Sequence, residues 1–123
     1  MANTEASLKE AMTIDGAIGA ALVDYSSGMA LGTTGGTKDL DLNVAAAGNT
    51  DVVRAKVRTM EHLGLQEEIE DVLITLGSQY HLIRLLRSAS DNGLFLYLAL
   101  DRGRANLAMA RHQLRKIEGE LEV

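Results

Sequence analysis

The stretch Gly32-Thr33-Thr34-Gly35-Gly36-Thr37-Lys38-Asp39 lies between an apolar segment and the longest helical run of the chain, and it comes nearest to a phosphate cradle. A phosphate-binding loop needs a glycine ahead of its lysine and a Ser or Thr hydroxyl after it to hold magnesium. Here Thr37 takes the glycine's place and Asp39 the hydroxyl's, where a carboxylate repels phosphate. The segment therefore reads as a flexible turn that starts a helix, with Thr37 or Asp39 as N-cap. His62, His81 and His112 are scattered, with no carboxylate or second histidine at ligand spacing. His62 falls at a helix end, where its cationic form suits the dipole, and His81 reads as a packed or hydrogen-bonded sheet residue. No serine stands on a nucleophile elbow. The cluster Glu67-Glu68-Glu70-Asp71 reads as a solvated loop at a strand entry, and the Arg84–Arg87 and Arg102–Arg115 tracts as solvated faces of a strand and a helix. No catalytic residue, cofactor or metal is expected.

Composition narrows the field further. The 123 residues suffice for one domain, residues 1–123, with a core that needs no metal or disulfide. Cysteine is absent, which removes disulfides, thiolate zinc sites and cysteine nucleophiles. A net charge of −5 argues against nucleic acid, because phosphate neutralisation needs a basic surface. One Phe and no Trp leave little on which bases could stack. The N-terminus lacks an apolar secretory core, and no segment approaches the roughly 18 apolar residues that cross a bilayer. A soluble, cytoplasmic protein without membrane insertion is expected.

These residues must be positioned by elements that the pattern marks out in order. Asn3 or Thr4 caps a short first helix with Leu8, Ala11 and Met12 as its stripe, ending before Asp15-Gly16. Ala17–Val23 reads as a central strand, Asp24–Gly28 as a turn, and Met29–Thr33 as a weaker edge strand. After the long helix, Ile69–Leu76 is a strand and Gly77-Ser78 a two-residue hairpin turn. The next strand alternates, with His81, Ile83 and Leu85 on one face and Tyr80, Leu82, Arg84 and Leu86 on the other. Asp91-Asn92-Gly93 is a second turn, Leu94–Leu100 a central strand, and Asp101 the cap of a last helix with stripe Leu107, Ala110, Leu114, Ile117 and Leu121. The order α-β-β-α-β-β-β-α predicts an α+β fold with a mostly antiparallel five-stranded sheet.

The long helix, Asp39–Leu65, carries two apolar stripes where a sheet needs one. Leu42, Ala46, Val53, Val57 and Met60 form the first; Ala45, Gly48, Val52, Ala55 and Leu63 form the second, with Asn49 and Lys56 on the seam. Gly48-Asn49-Thr50 is a soft spot where the helix could bend, and Gly64 sits where a C-terminal cap belongs. The small residues of the second stripe predict close approach of another helix, that of a second copy. Asp51, Arg54, Arg58 and Glu61 occupy the solvated side and are the expected contact surface for another protein. Arg54 and Arg58 read as i,i+3 partners of Asp51 and Glu61 rather than as an arginine finger.

This succession resembles the roadblock family of small domains. The resemblance rests on the apolar first strand running into Val23-Asp24-Tyr25-Ser26-Ser27-Gly28, the short Met-Ala-Leu-Gly strand and the alanine-rich helix Leu42–Met60. It continues through Ile69–Leu76, Tyr80-His81-Leu82-Ile83-Arg84, Leu94–Leu100 and a final helix near Asn106-Leu107, and so covers Ala6 to Leu121. It implies a profilin-like sandwich with helices on both faces, pairing as a homodimer through the long helix, here Asp39–Leu63, and the strand Ile69–Thr75. An edge reading Asp71-Val72-Leu73-Ile74-Thr75-Leu76 without proline or lysine invites pairing, and an isologous dimer closes it. Val72 and Ile74 thus join Ala45, Gly48, Val52, Ala55 and Leu63 as expected interface residues. The resemblance also implies a non-catalytic regulator or scaffold that binds a Ras-like small GTPase or another signalling component. The alternative reading is a small-molecule sensor with its ligand between sheet and helix.

Overall fold

Strands whose residues are apolar at every position must be covered on both faces, and β5 sets the layering in that way. The computed structural model describes residues 2–86 and 93–122. Its elements are α1 (Thr4–Ala11), β1 (Ala17–Asp24), β2 (Met29–Gly35), α2 (Leu42–Leu63), β3 (Asp71–Thr75), β4 (Gln79–Leu85), β5 (Leu94–Asp101) and α3 (Leu107–Glu120). The five strands form one sheet in the order β2-β1-β5-β4-β3, and every pairing is antiparallel, so the fold is α+β as the element order predicts. β5 lies at the centre, and β2 and β3 are the edges. Leu94, Leu96, Leu98 and Leu100 of β5 point to one layer with Leu8, Ala11, Leu114 and Ile117 of α1 and α3. Phe95, Tyr97 and Ala99 point to the other, against Leu42, Ala46 and Val53 of α2. Among the described residues one face therefore carries two helices and the other one.

Helix ends follow local hydrogen bonding. Asn3 caps α1, its side chain accepting from the Ala6 amide. The N-cap of α2 is Asp41, which accepts from the amides of Asn43 and Val44, and not Thr37 or Asp39. Thr37 and Leu40 exchange backbone hydrogen bonds in a tight bridge, so those residues cannot also open a helix. Gly64 closes α2 in the left-handed conformation, at φ 70°. The helix runs through Gly48-Asn49-Thr50 without interruption; Thr50 turns its buried hydroxyl back onto the Ala46 carbonyl at 2.7 Å. Likewise α3 is capped by Asn106, while Asp101 accepts from the Gly103 amide in the preceding turn.

The glycine-rich stretch after β1 has a packing role. Gly35 has φ +74°, and a Cβ there would lie 2.7 Å from the Ile18 carbonyl and 2.6 Å from the Met12 side chain. The Gly77-Ser78 turn joins β3 to β4, closed by the Leu76 amide on the Gln79 carbonyl at 2.8 Å. Asp91 and Asn92 of the expected Asp91-Asn92-Gly93 turn, and Arg87 of the first arginine tract, lie outside the described residues.

Arg84 departs from the expected solvated face, while Arg102 stays exposed but is tied to a turn. Arg84 is only 4% exposed, because its register position puts it under α3, where Nε donates to Glu118 Oε1 at 3.1 Å. Arg102 lies over the Tyr80 ring and donates to the Leu76 carbonyl at 2.7 Å, holding the β3–β4 turn. The two ends of the described chain are clasped together: the Ala2 amide donates to the Glu120 carbonyl, and the Glu122 amide to that of Ala2, both at 2.8 Å.

Candidate interaction surface

Among the described residues α2 is the sole helix on its side of the sheet, so no second helix packs along its flanks. Its first stripe is spent on the core: Leu42, Ala46 and Val53 are buried, and Val57 packs against them. The second stripe is left outside. Gly48 and Ala55 are exposed, Val52 is 37% exposed and Leu63 64%; Ala45 is half-buried. A Cβ built on Gly48 meets no atom within 4 Å, so the smallness of this residue is unused inside the fold.

The sheet below is correspondingly bare. Val72 pairs with Ile83 and Ile74 with His81, which turns both β3 side chains to the α2 face, where they are half-buried. β3 is an edge strand, so its outer amides and carbonyls have no strand partner. The structure thus brings Val72 and Ile74 to the same face as the small-residue flank of α2. Leu63 lies 15 residues beyond Gly48, about 22 Å along the helix at its usual rise.

Between flank and sheet, Ala45, Gly48 and Asn49 meet His81 and Tyr97 around a hollow of about 380 Å³. A polar relay forms its floor. His81 Nε2 lies 2.8 Å from Gln79 Oε1, an acceptor only, so this nitrogen carries the proton. His81 Nδ1 then accepts from the Tyr97 hydroxyl at 3.2 Å, and the two rings meet edge to face. Burial holds His81 below the ordinary histidine pKa. Tyr97 is pushed up to about 12 by its burial, against a smaller opposing pull from the Asn49 hydrogen bond. His81 is the packed, hydrogen-bonded sheet residue its alternation predicts. Tyr97 has no signal in an all-apolar run, although Asn49 on the seam between the stripes of α2 marks where a polar partner must sit.

Of the polar residues on α2, Asp51, Arg54, Arg58 and Glu61 are all exposed. Arg54 is committed elsewhere. Its guanidinium donates to the carbonyls of Tyr25, at 2.8 Å, and Ser26, and so staples the β1–β2 turn onto the helix. That turn is already shaped by Asp24, which accepts from the Ser26 amide and hydroxyl at 2.9 and 2.7 Å; these bonds hold its carboxyl below the usual range. Among the described residues neither arginine pairs with Asp51 or Glu61. The acidic cluster is also partly used internally: Asp71 receives a bidentate pair from Arg111 at 2.9 and 3.0 Å, and Glu70 lies 3.7 Å from Arg115. Glu67 and Glu68 stay exposed. No group of three or more metal-ligating side chains converges among the described residues.

No protein-family model and no curated protein matches the sequence. The chain is similar to a Roadblock/LC7 domain from Streptomyces avermitilis, at TM-score 0.78 and 13% identity over 96% of this chain and 93% of that one. It is similar to MglB of Myxococcus xanthus, at TM-score 0.74 and 19% identity over 93% and 77% of the two chains. A third likeness is to an MglB with a tetrameric arrangement, at TM-score 0.67 and 18% identity over 93% and 86%. Three helices laid two and one across a β2-β1-β5-β4-β3 sheet, and these matches over nearly its whole length, give this chain the Roadblock/LC7 fold.

Proposed function

We propose that residues 1–123 form a single non-catalytic module that pairs with a second copy and serves as a regulatory scaffold for a Ras-like small GTPase or another signalling component. The observation that carries this reading is the exposed small-residue flank of α2 beside the open β3 edge. Ala45, Gly48, Val52, Ala55, Leu63, Val72 and Ile74 form the pairing surface, and a two-fold axis covers the flank and the strand edge together. An MglB of this fold with a tetrameric arrangement supports association between copies. Asp51, Arg58 and Glu61 form the docking surface, duplicated by the axis, and Arg54 contributes by fixing the β1–β2 turn beside them. A regulator of this kind needs no reaction centre of its own. The sensor reading fares worse, because Ala21, Val23, Phe95 and Ala99 beneath α2 are wholly buried and the hollow at His81 opens along the flank that pairing would cover.

Gly48→Arg is the decisive variant, since open space at Gly48 lets the monomer keep its fold. Light scattering after size exclusion should give a dimer for the wild-type chain and 13.2 kDa for the variant, with circular dichroism unchanged. A wild-type chain that stays monomeric at hundreds of micromolar refutes the pairing. For the docking surface, calorimetry with a panel of Ras-like small GTPases should show binding that Asp51→Lys/Glu61→Lys removes. Equal binding by that variant refutes the assignment.

A further inference from the structure

The hollow at His81 has a titratable floor and a small-residue rim. The His81–Tyr97 relay forms the floor, and Ala45 and Gly48 of α2 stand on the rim. Ile74 of β3 is the register partner of His81 across the sheet. A titratable ring therefore lies within the surface assigned to pairing. In the single chain the hollow opens along the flank of α2, and His81 is half-buried. A second copy laid over Ala45, Gly48 and Ile74 closes the hollow and takes the ring out of water.

The hydrogen bonds of the relay accommodate only the neutral ring. Its single proton, on Nε2, goes to Gln79 Oε1 at 2.8 Å, and Nδ1 accepts from the Tyr97 hydroxyl at 3.2 Å. Imidazolium has two N–H donors. Its second donor would face the hydroxyl oxygen, so the Tyr97 proton would need another acceptor. Tyr97 is only 1% exposed, which leaves little room for water. Asn49 is already hydrogen-bonded to Tyr97, and its side-chain carbonyl can accept once the amide turns over. Asn49 sits on the seam between the two stripes of α2, so that rearrangement reaches the pairing flank itself.

The charges around the hollow do not compensate a cation there. Lys38, Asp39 and Asp41 line it from the connection ahead of α2, and all three are exposed. Asp41 is occupied by the Asn43 and Val44 amides, and Lys38 stands beside Asp39 at the solvated rim. α2 contributes Ala45, Gly48 and Asn49, β5 Tyr97 and β3 Ile74, none of them a carboxylate. The residues assigned to pairing on a second copy are uncharged as well.

Resting on the pairing assigned above, we infer that association of two copies is proton-linked: the joined state requires neutral His81, and protonation at Nδ1 releases it. Burial already disfavours the imidazolium in the single chain, and closure of the hollow adds to the same penalty. Separated copies therefore bind more protons than a joined pair, so pairing is tight above the histidine range and weakens as pH falls through it. A shift of about one pH unit at each of the two rings weakens pairing by up to about 100-fold.

Sedimentation equilibrium of the full chain from about pH 7.5 to about pH 5.5 is the test, and the dissociation constant should rise at least about tenfold on acidification while circular dichroism stays native. His81→Gln, neutral and still able to donate and accept, should pair equally at both ends of the range. His62→Gln, beside Leu63, should keep the wild-type dependence. By NMR, the His81 ring should take up its proton at a lower pH in concentrated than in dilute protein. A dimer equally tight at both pH values overturns the inference and leaves pairing standing, whereas a chain monomeric throughout removes both. Acid weakening that survives His81→Gln or vanishes in His62→Gln also overturns it, as does a His81 titration independent of concentration while the dimer forms.

Discussion

Removing the Glu118 carboxylate leaves the Arg84 guanidinium buried under α3 without its counter-charge. The pair is 3.1 Å apart, with side chains 5% and 10% exposed. At that separation the Coulomb attraction is about 5 kcal/mol for an effective dielectric near 20. Desolvation of both ions offsets most of it, so the pair itself adds little net stability. Breaking it is different. Glu118→Ala keeps the cost of burying Arg84 and loses its compensation, for an expected loss of about 3–5 kcal/mol. Arg84→Met/Glu118→Leu removes both charges and should return to within about 1 kcal/mol of the parent, or exceed it. Urea unfolding followed by circular dichroism measures both, at one fixed protein concentration so that association does not move the midpoint. The double-mutant cycle should give a coupling of a few kcal/mol that salt barely alters, because a buried pair is poorly screened. A loss below about 1 kcal/mol for Glu118→Ala, or additive single effects, refutes the burial argument.

Three further outcomes follow from the same geometry. Burial disfavours the His81 imidazolium, so the folded chain binds fewer protons here than the unfolded chain, and stability should fall as pH drops below about 6.5 and level off below the folded pKa; an NMR titration placing His81 at or above 6.5 would contradict this. Arg54→Ala should lower stability by only about 1 kcal/mol, given its exposure, yet speed amide exchange at Tyr25 to Gly28; unchanged exchange there would show that the staple is not made. Gly35→Ala forces a side chain into φ +74° and against the Ile18 carbonyl, and should cost at least about 2 kcal/mol in denaturant titration, whereas a neutral effect would mean that β1 and β2 can separate freely.

What the chain declares in its own residues is mostly what repeats locally. The unbroken run Leu94–Leu100 announces a strand covered on both faces, and β5 is the central strand. The surplus stripe on α2 announces a flank without a partner, because a helix on a sheet buries one stripe and Ala45 to Leu63 belong to a second. Long-range pairing is what stays hidden. Arg84 looks like a surface residue until register brings it to Glu118, 34 positions away. Arg54 looks like an i,i+3 partner of Asp51, but it finds carbonyls 28 and 29 positions earlier. Asp41 as helix cap is visible only once the Thr37–Leu40 bridge is known to use up the residues before it. The acidic cluster is ambiguous for a similar reason: α3 pairs with Asp71 and Glu70 and leaves Glu67 and Glu68 exposed.

The clasp between Ala2 and Glu120–Glu122 fixes where both ends of the described chain leave the molecule. They emerge side by side at the layer of α1 and α3, on the opposite side of the sheet from α2. A host protein could therefore accept this unit as an insert within one of its own loops, since the graft's entry and exit points nearly coincide. Mounted in that way, it would hold α2 outward like a handle, with its small-residue flank turned away from the host.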